Sequence, residues 1–323
     1  MRNIYTFLVL SIFILGCSSD KEEEEQDPNS QTCLKDYTLS TVGIDCDKSG
    51  FTDGVYVETR LRGTRNITCN AKPNHDYWVK SEREEATVAG VDHSFTMDFN
   101  PSLSDVKTSI LSETNTPKFF FGVALNGVII APGPGEPFIF LDQITSEYNL
   151  DWVFEPTNNM GLGANLVKLD CSSAHSNDNA GYHYHGNMYE LADKLYSGIS
   201  SGDVVPDKPI QIGWASDGFP ILYLYGPDAN GQLKKMQPSY GFKEGERPGD
   251  GITAPCGTYD GRYTRDYEYT SNLGDLDECN GVANTVTITT AIGEETFDYY
   301  YVITEDFPQI PRCFSGTPHQ SFR

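Results

Sequence analysis

The sequence predicts a mainly β fold: a single large, sandwich-like domain with one or two short helices. Three observations predict it. Short runs of apolar, β-branched and aromatic residues recur along the chain, several alternating with polar residues, the period of a half-buried strand. Clusters of Gly, Asn, Asp and Pro separate these runs, as turns require. No internal repeat and no sustained helical periodicity is evident, which argues against solenoids and long helices.

In chain order, residues 54–61 and 65–70 alternate as strands and run into a turn-like Pro73-Asn74-His75-Asp76. Residues 91–99 form a further strand containing His93. Residues 118–130, KFFFGVALNGVII, carry the strongest hairpin signal, with Asn126-Gly127 between two apolar runs; that dipeptide favours a tight primed turn. Residues 151–156 supply another strand. Residues 187–198 read as a short helix, capped by Asn187, lined by Met188, Leu191 and Leu195 and ended by Gly198. Residues 210–225 are two apolar strands around Ser216-Asp217-Gly218, and residues 227–251 a polar, Gly-rich surface loop. Residues 285–290 and 296–304 read as a hairpin around Gly293.

The first 16 residues have the shape of a signal peptide: Arg2, then an apolar run over 7–15 that is too short to span a bilayer. Ile14-Leu15-Gly16-Cys17 resembles a bacterial lipobox, with Cys17 as the lipidated residue. The segment 18–25, SSDKEEEE, is similar to the surface-export signal of Bacteroidetes lipoproteins. This resemblance implies the outer face of the outer membrane. Residues 17–32 then form an acidic tether, and residues 33–323 the folded domain. The net charge is −23, which argues against nucleic acid as a partner, because phosphate binding needs basic surface. Export permits disulfides. Besides Cys17 there are seven cysteines; they read as Cys279–Cys313, Cys46–Cys69 and Cys171–Cys256, with Cys33 left over.

The chemistry concentrates in residues 171–187, CSSAHSNDNAGYHYHGN, which hold three of the six histidines. On a strand, His183 and His185 point to one face, with Cα atoms about 6.6 Å apart. Two imidazoles at that spacing can share one metal ion, and the preceding loop can fold His175 back as a third ligand. Tyr182 and Tyr184 then point to the opposite face and pack. A buried hydrogen-bonded cluster is the competing account. Asp217, in its turn, is a candidate to orient a ligand histidine or act as general base; a turn aspartate making local backbone bonds is equally consistent. His93 and His319 have no partner in sequence and read as structural. The seven tyrosines between 259 and 301 read as core and cross-strand packing.

Several blocks together resemble the YHYH-domain proteins, secreted or lipid-anchored and largely bacterial. The motif stands as Tyr182-His183-Tyr184-His185-Gly186. Around it, in order, come Ile67-Thr68-Cys69-Asn70 with Pro73-Asn74-His75, then 122–128, 214–220, 276–281 and 307–313. The resemblance spans about 55–320 and adds His75 to the candidate ligands. The expected set is thus His75, His175, His183 and His185, holding a divalent transition metal, zinc or copper. Two functions compete. One is a metal-dependent enzyme, hydrolytic or oxidative, on an extracellular polymer such as polysaccharide. The other is a non-catalytic module binding metal, glycan or protein.

Overall fold

The structure, a computed structural model, describes residues 54–71, 77–79, 84–86, 90–133, 137–139, 148–158, 169–177 and 180–323. The signal and tether, Cys17, Cys33, Cys46 and His75 lie outside the described residues. Within them the chain is mainly β, as expected, with one short α-helix and three 3-10 turns.

A mixed ten-stranded sheet forms the centre. Its strands run in the order Gly281–Val282, Tyr300–Ile303, Pro220–Tyr223, Gln211–Ala215, Gly122–Ala124, Ile129–Ile130, Gly181–Tyr184, Ala174–Asn177, Tyr77–Val79 and Glu84–Ala86. The middle strands are buried at every position, which is why they read as continuous apolar runs: both faces are covered. A three-stranded antiparallel sheet, Val55–Leu61, Thr64–Ala71 and Val91–Asp98, shares the same hydrophobic core. Here the alternation predicted from sequence holds: Arg65, Ile67, Cys69 and Ala71 point inward, as do Phe95 and Met97. Arg65 is fully buried, its guanidinium 3.5 Å from the Trp214 ring and ion-paired with Glu58 and Glu295. Pairing is what makes a charge tolerable there. A smaller core gathers Phe138, Trp152, Phe154, Leu169 and Tyr263.

Four local expectations need correction. The Asn126-Gly127 hairpin exists, but its loop is Leu125-Asn126-Gly127, and only Gly127 takes positive φ, +83°. Ala124 accepts from Gly127 N and donates to Val128 O. That is the three-residue loop with a left-handed glycine, not a primed two-residue turn. The helix spans Tyr189–Leu195 without a side-chain cap. Asn187 instead uses its Oδ1 to accept from Tyr223 Oη at 2.5 Å, and Leu195 is exposed. Residues 227–251 are more than a loop: Leu233–Lys235 and Tyr240–Phe242 pair with Tyr225–Pro227 and Tyr267–Tyr269. The run 296–304 divides at Asp298. Gly293–Phe297 pairs with Val286–Thr290, and Tyr300–Ile303 joins the large sheet.

Cys279–Cys313 is a disulfide, as expected, and Cys171 and Cys256 are each disulfide-bonded. The Cys46–Cys69 assignment is wrong, because Cys69 is a buried free thiol. It points into the core from Thr64–Ala71, and burial with the nearby Asp92 charge pushes its pKa up to about 12. A thiol so held stays protonated and inert.

Candidate metal centre

Ala174–Asn177 and Gly181–Tyr184 pair antiparallel, so His175 lies directly across from His183. His185 follows one residue after the second strand and continues its ladder, donating its N–H to Ser173 O at 2.8 Å. His183 and His185 therefore share a face, as the spacing predicts, and the hairpin delivers His175 to it. The three rings are buried, 2, 2 and 6 % exposed in sequence order. Their centroids lie 4.7 to 4.8 Å apart. Nε2 of His185 is 3.0 Å from Nε2 of His175 and 3.0 Å from Nε2 of His183. Among the described residues, this is the group of His, Cys, Asp and Glu donors arranged to hold a metal ion.

The opposite face explains the tyrosines. Tyr182 and Tyr184 are 1 and 0 % exposed. Tyr182 Oη donates to Asp170, whose Oδ1 also accepts from the backbone of Ser172 and Ala174. Tyr184 Oη accepts from Asn126 Nδ2 at 2.9 Å. Each phenol thus has a hydrogen-bond partner, and the tyrosines anchor the strand whose other face carries the histidines.

Protonation decides what the cluster can do. His183 Nδ1 donates to the Gly181 carbonyl at 2.8 Å. In the neutral ring this leaves a bare lone pair on Nε2, aimed at His185. A single ring proton on His185 can serve one neighbour, yet two contacts of equal length converge on it. A cation between the three nitrogens satisfies them all. Nitrogen ligands at about 2.0–2.1 Å from a tetrahedral ion stand roughly 3.3 Å apart, close to the observed spacing. The three buried imidazoles could therefore hold one metal ion.

The YHYH protein family matches residues 94–316, more than two thirds of the chain. The chain belongs to the YHYH protein family. No curated protein and no solved structure matches it. The YHYH match begins at Ser94, so the Ile67–His75 block that contributed His75 lies before it.

Asp217 is not brought to the YHYH histidines. Its turn follows Gln211–Ala215, three strand positions from Gly181–Tyr184 in the sheet, about 14 Å at the usual strand spacing. Its Oδ2 accepts from Tyr301 Oη at 2.5 Å and Gly316 N at 2.9 Å. Burial pushes this carboxyl up to about 6, against those hydrogen bonds, which pull it down. The local-turn account, extended to Tyr301 of the large sheet and to Gly316, describes it better than a general base. His319 caps the last turn, accepting from Ser321 N. His93 donates to the Ala180 carbonyl, a contact between segments far apart in sequence that no local pattern announces.

Proposed function

We propose that this chain is a cell-surface lipoprotein whose YHYH domain binds one divalent transition metal, zinc or copper, through His175, His183 and His185. The convergence of three buried Nε2 atoms carries the reading. Imidazole donors suit both ions. His75 is proposed as a further ligand only on family resemblance. Burial of all three rings favours a binding or structural role for the metal. The count of donors favours a second reading: three histidines leave a tetrahedral position for water, whose pKa a bound zinc lowers to about 7. On that reading the domain hydrolyses or oxidises an extracellular polymer such as polysaccharide.

Protein purified without added metal is expected to carry about one transition-metal ion per chain, by the single-site logic above. Metal-free protein that also fails to take up zinc or copper would rule the reading out. Anchoring rests on the lipobox-like Ile14-Leu15-Gly16-Cys17. Cys17→Ser is expected to move the protein from the membrane to the soluble fraction; continued membrane association contradicts lipidation.

A further inference from the structure

His93 belongs to the three-stranded sheet, in Val91–Asp98, across from Cys69. Its ring stacks on Phe95, with centroids 5.5 Å apart and planes 10° from parallel, and meets Phe120 edge-on at 6.2 Å. These contacts fix the plane of the imidazole. Its Nε2–H donates to the Ala180 carbonyl at 3.2 Å. Ala180 is buried and immediately precedes Gly181–Tyr184. The next carbonyl along, that of Gly181, takes the Nδ1 proton of His183 at 2.8 Å. Two successive carbonyls thus receive histidines from two different sheets.

The residue between them is also held. Gly181 sits at φ +67°, where a Cβ would come 2.9 Å from Cγ2 of Val91. Val91 and His93, two apart on one strand, therefore hold the Ala180-Gly181 peptide, immediately before the carbonyl that aims the His183 ring. Burial lowers the His93 pKa, so at neutral pH the ring is uncharged and carries one proton, which the Ala180 bond uses.

We propose that His93 is a positioning residue for the three-histidine site, acting through the Ala180-Gly181 backbone to orient His183; this rests on the metal reading above. The carbonyl that receives a ligand's second nitrogen sets the tautomer and ring direction, and loss of such outer partners costs about 10- to 100-fold in metal affinity. His93 acts one bond further out, so the lower end applies.

The test is zinc affinity by chelator competition, with the visible absorption of the cobalt-substituted protein as second readout. His93→Phe keeps the ring stack and removes the donor; it is expected to weaken zinc binding about tenfold and shift the cobalt spectrum. His93→Gln restores a donor and is expected to recover most of both. Should His93→Phe not fold, His93→Leu makes the same test with less bulk. Wild-type affinity and an unchanged spectrum in the donorless variant would overturn the proposal while leaving the metal site standing. No zinc binding by the wild type, with His183→Ala indistinguishable from it, would overturn both.

Discussion

His183→Ala is expected to empty the metal site and to make the melting temperature insensitive to chelators. His183 is held on two sides: it faces His175 across the hairpin and meets Nε2 of His185, on which both neighbours converge. Its removal takes away a direct ligand, so affinity should fall by more than the roughly 100-fold upper figure for outer partners. With free metal about 100-fold above Kd, binding contributes about 2.7 kcal/mol of linked stability, which the emptied variant lacks. The variant should therefore melt where the chelated wild type melts. His319→Ala is the matched control, since that ring caps a C-terminal turn away from the cluster. Measured metal per chain should be near zero in the first variant and unchanged in the second. Equal metal content in wild type and His183→Ala would remove His183 from the ligand set.

The second large effect concerns Asp217 and stability. Asp217→Ala strands two buried donors, the Tyr301 hydroxyl and the Gly316 amide. At about 1–3 kcal/mol for each group left unsatisfied, the loss is roughly 2–6 kcal/mol, or about 4–24 °C for a larger domain. The pH dependence has a definite sign. Burial raises the folded carboxyl to about 6 from an ordinary value of 3.8. A raised folded value favours the protonated form. Its stabilising contribution is complete below pH 3.8 and is lost as pH rises through 6. That displacement corresponds to about 3 kcal/mol between acid and neutral pH. Asp217→Asn keeps an acceptor for both donors and does not titrate. Denaturant melts between pH 4 and 7 should show a flatter pH profile for Asp217→Asn than for the wild type. An identical profile would show that Asp217 does not titrate in this range.

Much of the site was legible because strand periodicity is strict. The alternation Tyr-His-Tyr-His can only place histidines on one face and tyrosines on the other, and the turn-rich residues before it allowed His175 to return. The local errors share a cause: a distant partner. Asn187 has the chemistry of a helix cap, yet Tyr223, 36 residues away, takes its side-chain oxygen. Asp217 looked available to a histidine until Tyr301, from a strand of the large sheet, and Gly316, near the C-terminus, took its carboxylate. Cys69 carries no mark of its redox state; its inward position on an alternating strand was readable, its lack of a disulfide was not. The β-prone run 296–304 concealed a division at Asp298 because both flanking segments carry strand-forming residues for two different sheets. His93 was passed over for the same reason, since its bond to Ala180 spans 87 residues.

X-ray absorption at the edge of the bound metal, on protein purified without metal supplementation, reads the ligand shell itself. Imidazole nitrogens from at least three histidines are expected, at about 2.0–2.1 Å for zinc. A shell built from sulfur at about 2.3 Å, or oxygen-only coordination without imidazole scattering, would contradict the three-histidine site.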